Sequence, residues 1–326
     1  MNLDAQILTA LRSTPMGISG ADLAARLGVT RAAVWARVED LRRIGYLIEA
    51  TPHRGYQLVQ APDALHADDL LSRMAGTENI GRSFRVFEET ASTNDLVERL
   101  ARDGAPEGLV VFAESQRQGR GRLGRVWFSP ARKGLWFSVL LRPALAPQAI
   151  TRLTVFAAVA VARAVARVTG LRVDIKWPND LEVAGRKCCG ILTEMNAEPD
   201  RVRYAVLGVG LDVNQVAEEW PDALRKTATS LRMAAGRSWD RAELAVEVLR
   251  DLDADYRRLQ RGVFEEIADE WESACSTLGR DVTIRIGERR VRGRAESLDS
   301  DGALLVRTEH GHLERITGGD VEVDKT

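Results

Sequence analysis

Between residues 117 and 125 the chain threads four arginines, Arg117, Arg120, Arg122 and Arg125, through Gly119, Gly121 and Gly124, then runs straight into Val126-Trp127-Phe128-Ser129-Pro130. No other segment restricts the fold as much. The glycines formally spell G-x-G-x-x-G, but a dinucleotide-binding turn must open a helix whose N-terminus holds a pyrophosphate. A β-like run ending in proline is not that helix. The Gly-Lys-Ser/Thr ending of a P-loop is missing as well. Two readings remain. The loop can bend its backbone close to a polyanion while guanidinium forks engage the oxygens, or it is a solvated or RNA-binding basic loop. On the first reading, charge repulsion and glycine content predict a loop that is mobile when empty and orders on a phosphate-bearing ligand.

The rest of the chain offers no general attraction to polyanions. Its 46 Lys and Arg against 47 Asp and Glu give a formal charge of -1, so any contact with nucleic acid must be local. The N-terminus, Met1-Asn2-Leu3-Asp4-Ala5-Gln6, lacks the basic and apolar regions of a signal peptide. The longest uncharged apolar run, Leu153 to Ala162, lies between Arg152 and Arg163 and is too short to span a bilayer. It reads as a buried helix, with no membrane association expected. Cys188, Cys189 and Cys275 suit neither a disulfide framework nor a zinc site. They read as small buried apolar residues in a reducing, cytoplasmic compartment.

At 326 residues the chain should divide into two or three domains. The first sixty residues predict helix, helix, turn, helix and wing. Ile7, Leu8 and Leu11 make one apolar stripe, and Leu23, Ala24 and Leu27 a second that stops at Gly28. Thr30 is an N-cap for a third helix with Val34, Val38 and Leu41 on its buried face. Two strands joined through Pro52-His53-Arg54-Gly55 follow. The polar stretch from Gln60 to Asp69 reads as a linker. Beyond it, strands (84–87, 109–113, 135–141, 173–176, 203–211) alternate with helices (94–102, 150–169, 241–260), which is a mixed α/β pattern. Short strands at 282–286, 289–295, 304–308 and 313–316 make a small all-β module at the end.

Local chemistry singles out three more places. In a helix-turn-helix the second helix lays its N-terminal residues against base edges. Thr30, Arg31 and Ala32 fit that need, Arg37 continues a basic edge, and His53 and Arg54 at the wing tip would reach the flanking backbone. Three-helix units also serve as dimerisation or docking modules. Thr90-Ala91-Ser92-Thr93-Asn94-Asp95 opens a helix, so its hydroxyls and amide are either ordinary caps or partners for a ureido or amide ligand. Ile175-Lys176-Trp177-Pro178-Asn179-Asp180 ends an apolar strand in a turn, and a lysine there needs a partner. A carboxylate meeting a phosphate is one candidate.

Taken together, these segments resemble the biotin protein ligase family and, with the head, its bifunctional members. The resemblance runs through Ser92-Thr93-Asn94, the loop from Gln116 to Arg125, Lys176-Trp177-Pro178-Asn179-Asp180, Gly190-Ile191-Leu192, Gly208-Val209-Gly210-Leu211, Thr229-Ser230-Leu231 and Trp271-Glu272. It implies an α+β chain in three parts. These are a winged helix-turn-helix domain (1–62), a mixed α/β ligase domain of the class II synthetase-like type (63–275) and a small SH3-like β-barrel (276–326).

The resemblance further implies Ser92, Thr93, Asn94, Gln116, Arg120, Gly121, Arg122 and Lys176 as biotin contacts, with Lys176 and Arg122 carrying the chemistry. Nucleotide contacts would be Arg120, Arg122, Gly124, Trp127, Lys176, Asn179, Lys187 and Asn214. No protein-bound metal cluster is expected. Substrates would be ATP and biotin with Mg²⁺, and partners a biotin carboxyl carrier protein, operator DNA and a second copy of the chain when adenylate is bound. A biotin-sensing transcription factor with little ligase activity and a lipoate-type ligase are the rival readings. Two departures stand out: Gly210-Leu211-Asp212 where the family usually has Gly-Ile-Asn, and Cys188-Cys189 where Leu-Ala is common.

Overall fold

A computed structural model describes residues 2–52 and 54–323. The head comprises α1 (Leu3–Ser13), α2 (Gly20–Leu27), α3 (Arg31–Arg43) and the wing strands β1 (Leu47–Thr51) and β2 (Gly55–Gln60). Its stops are those the sequence predicts. Gly28 ends α2 at φ 66, and the Thr30 side chain accepts from the Ala33 N–H at the start of α3. Ile7, Leu8, Leu11, Leu23, Val34, Val38 and Leu41 close a separate small core. His53, assigned to the wing tip, lies outside the described residues.

The expected linker is shorter than its composition suggests, because α4 (Ala67–Arg73) begins inside it. Helix α4 joins head to body. Asp69 is buried and pairs with both Arg12 of α1 and Arg73, and Asn2 donates to Asp68 at 2.7 Å.

The body is built on a seven-stranded sheet. In chain order its elements are β3 (Ser83–Thr90), α5 (Thr93–Arg102), β4 (Leu109–Gln116), β5 (Gly134–Leu141), α6 (Thr151–Thr169), β6 (Asp174–Lys176), β7 (Asp180–Val183), β8 (Arg186–Ala197), β9 (Val202–Asp212), α7 (Leu231–Ala235), α8 (Arg241–Gln260) and α9 (Phe264–Ala274). The strand order is β3-β4-β5-β9-β8-β7-β6, parallel between β3 and β4 and antiparallel elsewhere.

Alternation along β4 shows how both faces are covered. Val110 and Phe112 join the core made with α6, α8 and α9, whereas Leu109 and Val111 pack with Leu96, Val97 and Ala101 of α5. Helix α6 carries the chain's longest apolar run; the stretch from Pro147 to Thr169 is long and apolar enough to cross a membrane, yet most of it is buried within the body, where α6 is the central core helix. Cys188 and Cys189 are buried, and Cys275 is partly so.

The last part is a five-stranded antiparallel sheet of β10 (Asp281–Ile286), β11 (Arg289–Leu298), β12 (Leu304–Thr308), β13 (Leu313–Ile316) and β14 (Asp320–Val323), in the order β13-β12-β11-β10-β14. It packs on the body through Val282, Ile284, Val291 and Val306. Its β14 edge also borders the cavity described next.

Candidate active site

A cavity of about 720 Å³ opens beside α5, at the ends of β4, β7, β8 and β9. Its floor consists of glycines. Gly190 on β8 and Gly210 on β9 are cross-strand partners, and Gly208 lies two residues before Gly210. A Cβ at Gly208 would collide with the Asn94 amide, one at Gly210 would come within 2.5 Å of the Trp127 Nε1, and one at Gly190 within 2.7 Å of the Trp127 ring. Here glycine is required by close approach rather than by backbone angle.

At one end, four expected contacts come together. Ser92 occupies the N-cap position of α5 but makes no side-chain cap bond; it is buried and lines the cavity. Gln116 Oε1 accepts from the Thr93 N–H at 2.8 Å, and Gln116 Nε2 donates to Ser129 Oγ at 2.9 Å. Asn94 Nδ2 donates to Glu194 Oε2 at 2.7 Å, and Ser138 Oγ donates to Asn94 Oδ1 at 2.5 Å. Thr93 Oγ1 lies 2.7 Å from the same Ser138 hydroxyl. This ring of amides and hydroxyls is held in fixed orientation by side chains behind it, the arrangement a polar ligand must meet if it is to be buried.

Ser138, Ser129 and Glu194 were not among the residues expected from sequence. For Ser138 a signal was present: it is the lone polar residue in the run Leu135 to Leu141.

The arginine loop runs from this end of the cavity to the other. Arg120 reaches Glu194 at 2.6 Å and Asp95 at 2.8 Å. Arg122 donates to Asn179 Oδ1 at 3.1 Å, while Asn179 Nδ2 holds the Ile191 carbonyl at 2.7 Å. Burial pushes the Arg122 pKa down, and the carboxylates of Asp180 and Asp320 only partly oppose this. The guanidinium is thus short of negative charge, which a phosphate would supply. Arg125 pairs with Asp320 of β14 at 2.5 Å, bringing the last sheet to the rim.

The structure redistributes the lysines. Lys176 Nζ sits 3.0 Å from Glu182 Oε1 on the neighbouring strand β7, although the backbone register opposes Lys176 with Asp180. Lys187, on β8, lies 2.6 Å from Asp180 Oδ1 and 5.1 Å from the centre of the Trp127 ring. Both border the cavity. Asp212 lies on its floor, 2% exposed. Burial pushes its carboxyl well above the usual carboxylate range, against the hydrogen bond from Gln215 and the charge of Lys187.

Three of the expected residues lie away from the cavity or are paired within the chain. Asn214 binds the backbone of Trp239 through both amide atoms, at 2.9 and 3.0 Å, and does not border the cavity. Gly124 is exposed at the loop tip, also away from the cavity wall. In the head, Arg37 pairs with Asp4 and Asp40 while its side chain stays partly exposed. Arg31, Ala32 and Arg54 are exposed, and Thr30 is the α3 cap. Among the described residues no group of three or more His, Cys, Asp or Glu could hold a metal ion.

Residues 86–212 match the biotin/lipoate A/B protein ligase family, residues 4–57 a helix-turn-helix domain and residues 277–324 the biotin protein ligase C-terminal domain. The chain is 39% identical over 306 residues to the bifunctional ligase/repressor BirA of Bacillus subtilis, covering 94% of each. It is 35% identical over 260 residues to the biotin--[acetyl-CoA-carboxylase] ligase of Mycobacterium tuberculosis, covering 77% of this chain and 93% of that one. Among solved structures, the Aquifex aeolicus biotin protein ligase in complex with biotin and ATP is similar at a TM-score of 0.64. It is 29% identical, with 75% of this chain and all of that one covered. By its cavity, its three matched segments in their order, and its likeness along nearly its full length to a ligase/repressor, the chain belongs to the biotin protein ligase family, in the bifunctional ligase/repressor branch.

Proposed function

We propose that this chain activates biotin with ATP and transfers it to a lysine of a biotin carboxyl carrier protein. The convergence of Ser92, Thr93, Asn94, Gln116, the arginine loop, Lys176 and Lys187 on one cavity supports this most directly. A carboxylate oxygen of biotin attacks the α-phosphorus of ATP, and the bond to the β-phosphate oxygen breaks, giving biotinyl-5'-AMP and pyrophosphate. The acceptor lysine nitrogen, after giving up its proton, attacks the acyl carbon. AMP leaves with the electron pair of the cleaved C–O bond.

Neither step requires a covalent nucleophile from the protein. The protein's task is to position two anions and offset their repulsion. The hydroxyl and amide ring of Thr93, Asn94 and Gln116 orients the ureido end. Arg120, Gly121 and Arg122 lie over the join between vitamin and nucleotide, and Arg122 takes up the phosphate charge its burial leaves it short of. Trp127, against its glycine floor and under Lys187, offers a ring face to the base, with Asn179 at the edge. Lys187 and Lys176 stand where carboxylate and phosphate meet, each released from its carboxylate by the incoming charge. Mg²⁺ would neutralise phosphate charge, with Asp180, a carboxylate on the cavity wall, as the residue that would hold it. Closure of the loop excludes water from the anhydride.

The head binds operator DNA, and the adenylate-bound chain pairs with a second copy to repress in the cytoplasm. For that, the ordered loop must favour the dimer.

The test is incubation with ATP, biotin and a carboxyl-carrier domain, followed by mass spectrometry of the carrier. The carrier should gain one biotinyl group per acceptor lysine, and lipoate in place of biotin should give no adduct. No adduct from biotin, or an equal one from lipoate, would overturn this reading.

A further inference from the structure

Helix α3 presents a face to solvent that the ligase reaction leaves unused. Val34, Val38 and Leu41 are buried in the head's core, and on the other side Arg31, Ala32, Trp35 and Ala36 are exposed. Trp35 is 59% exposed at the middle of the helix. Nothing in the core calls for an indole there, and leaving one in water forgoes a large apolar burial.

Residues four apart on a helix stand one above the other. Arg31 and Trp35 therefore form one column, while the small side chains of Ala32 and Ala36 beside them let the backbone come close to a surface. The basic side chains further along are committed elsewhere. Arg37 holds Asp4 and Asp40, Arg42 holds Glu39 and the Ile48 carbonyl, and Arg43 holds Asp40. Glu39, the next residue in the Arg31–Trp35 column, is neutralised by Arg42 at 2.5 Å. The N-terminal part of the second helix of this helix-turn-helix thus presents one guanidinium and one indole together to a base edge.

Base edges in the major groove carry hydrogen-bonding atoms and one apolar group, the C5-methyl of thymine. We propose that Trp35 reads thymine methyls in the major groove beside Arg31, and so sets much of the head's sequence choice. This rests on the DNA-binding reading of the head and names the residue and base feature that make it selective. Duplex DNA is favoured as the occupant over a protein surface because the indole shares its face with an exposed Arg31 and with no uncompensated acid.

The test selects duplexes from a pool with a randomised core, using the full chain with biotin and ATP, and repeats the selection with Trp35→Ala and Trp35→Phe. Circular dichroism confirms that the variants fold. Wild type should enrich a consensus containing thymines whose replacement by deoxyuridine weakens binding roughly fourfold per methyl. Trp35→Ala should bind that consensus about tenfold less well and be indifferent to the same replacements, while Trp35→Phe keeps the sensitivity. If Trp35→Ala enriches the same consensus with the same deoxyuridine penalty, the assignment is wrong although the head binds DNA. If wild type enriches nothing, the DNA-binding reading itself fails and the assignment with it. A change in oligomeric mass in Trp35→Ala with unaltered sequence selection would make the face a protein contact and overturn the proposal.

Discussion

Asp212 is a carboxyl group in a place where charge is costly. It is 2% exposed, and Gln215 Nε2 donates to it at 2.5 Å. Because burial raises its pKa in the fold above the unfolded value, the protonated acid suits the folded chain and the carboxylate does not. That favourable protonation is fully present in acid, below the unfolded pKa, and is lost as pH rises through the folded one. Asp212→Asn should therefore raise the thermal midpoint in neutral and alkaline buffer, with the gain shrinking as the buffer is made acidic. Calorimetry across pH checks this, and a pH-independent difference would show that the carboxyl's charge is not responsible. Arg122 is the opposite case, a cation short of charge. Arg122→Ala should leave the body folded and speed adenylate dissociation roughly ten- to a hundredfold, the range for a hydrogen bond to a charged group. A stopped-flow dissociation rate equal to wild type would count against its role over the phosphate.

At the scale of elements, the site depends on β8 and β9 approaching α5 and the arginine loop without side chains between them. Gly210→Ala places a methyl against the Trp127 indole. Overpacking of this kind costs about 1–3 kcal/mol, and since the indole lines the cavity, the loss should appear mainly as a raised KM for ATP, with little change in thermal midpoint. Much of this was legible in the chain. Thr30, Gly28 and the apolar stripe of α3 mark the head because their signals are local, and α8 begins and ends where its periodicity does. What escaped was what pairing decides. The pairing of β6, β7 and β8 leaves little trace in apolar alternation, and only it brings Lys176 to Glu182 and Lys187 to Asp180 and Trp127, diagonally to a backbone register that opposes Lys176 with Asp180 and Lys187 with Glu182. Asn214 is a nucleotide contact only by the family resemblance, and in the fold its amide faces the Trp239 backbone instead of the cavity. Glu194 and Ser138 act from behind Asn94, and support from a neighbouring strand leaves little trace in linear order.

Across the whole molecule, the segment leaving the head is tied to the site by an arginine without solvent exposure. Arg241 at the start of α8 binds Glu114 Oε2 at 2.5 Å, the Asp63 carbonyl at 2.7 Å and the Gly134 carbonyl at 3.3 Å. Glu114 also accepts from the Leu65 N–H at 2.7 Å, and it precedes Gln116 by two residues on β4. Removing one member of a buried pair leaves an uncompensated charge, so Arg241→Met should cost about 3–5 kcal/mol. The double variant Arg241→Met with Glu114→Leu should lose less than the single one, as read by denaturant unfolding; equal or greater loss would deny that charge compensation governs this junction. The body and the last sheet meet around one cavity, whose central task is to bring a vitamin carboxylate to the α-phosphate of ATP. Isotope exchange between pyrophosphate and ATP measures that encounter without any acceptor protein. Exchange should be absent with ATP alone and appear when biotin is added, whereas exchange that proceeds equally without biotin, or none when both are present, would contradict it.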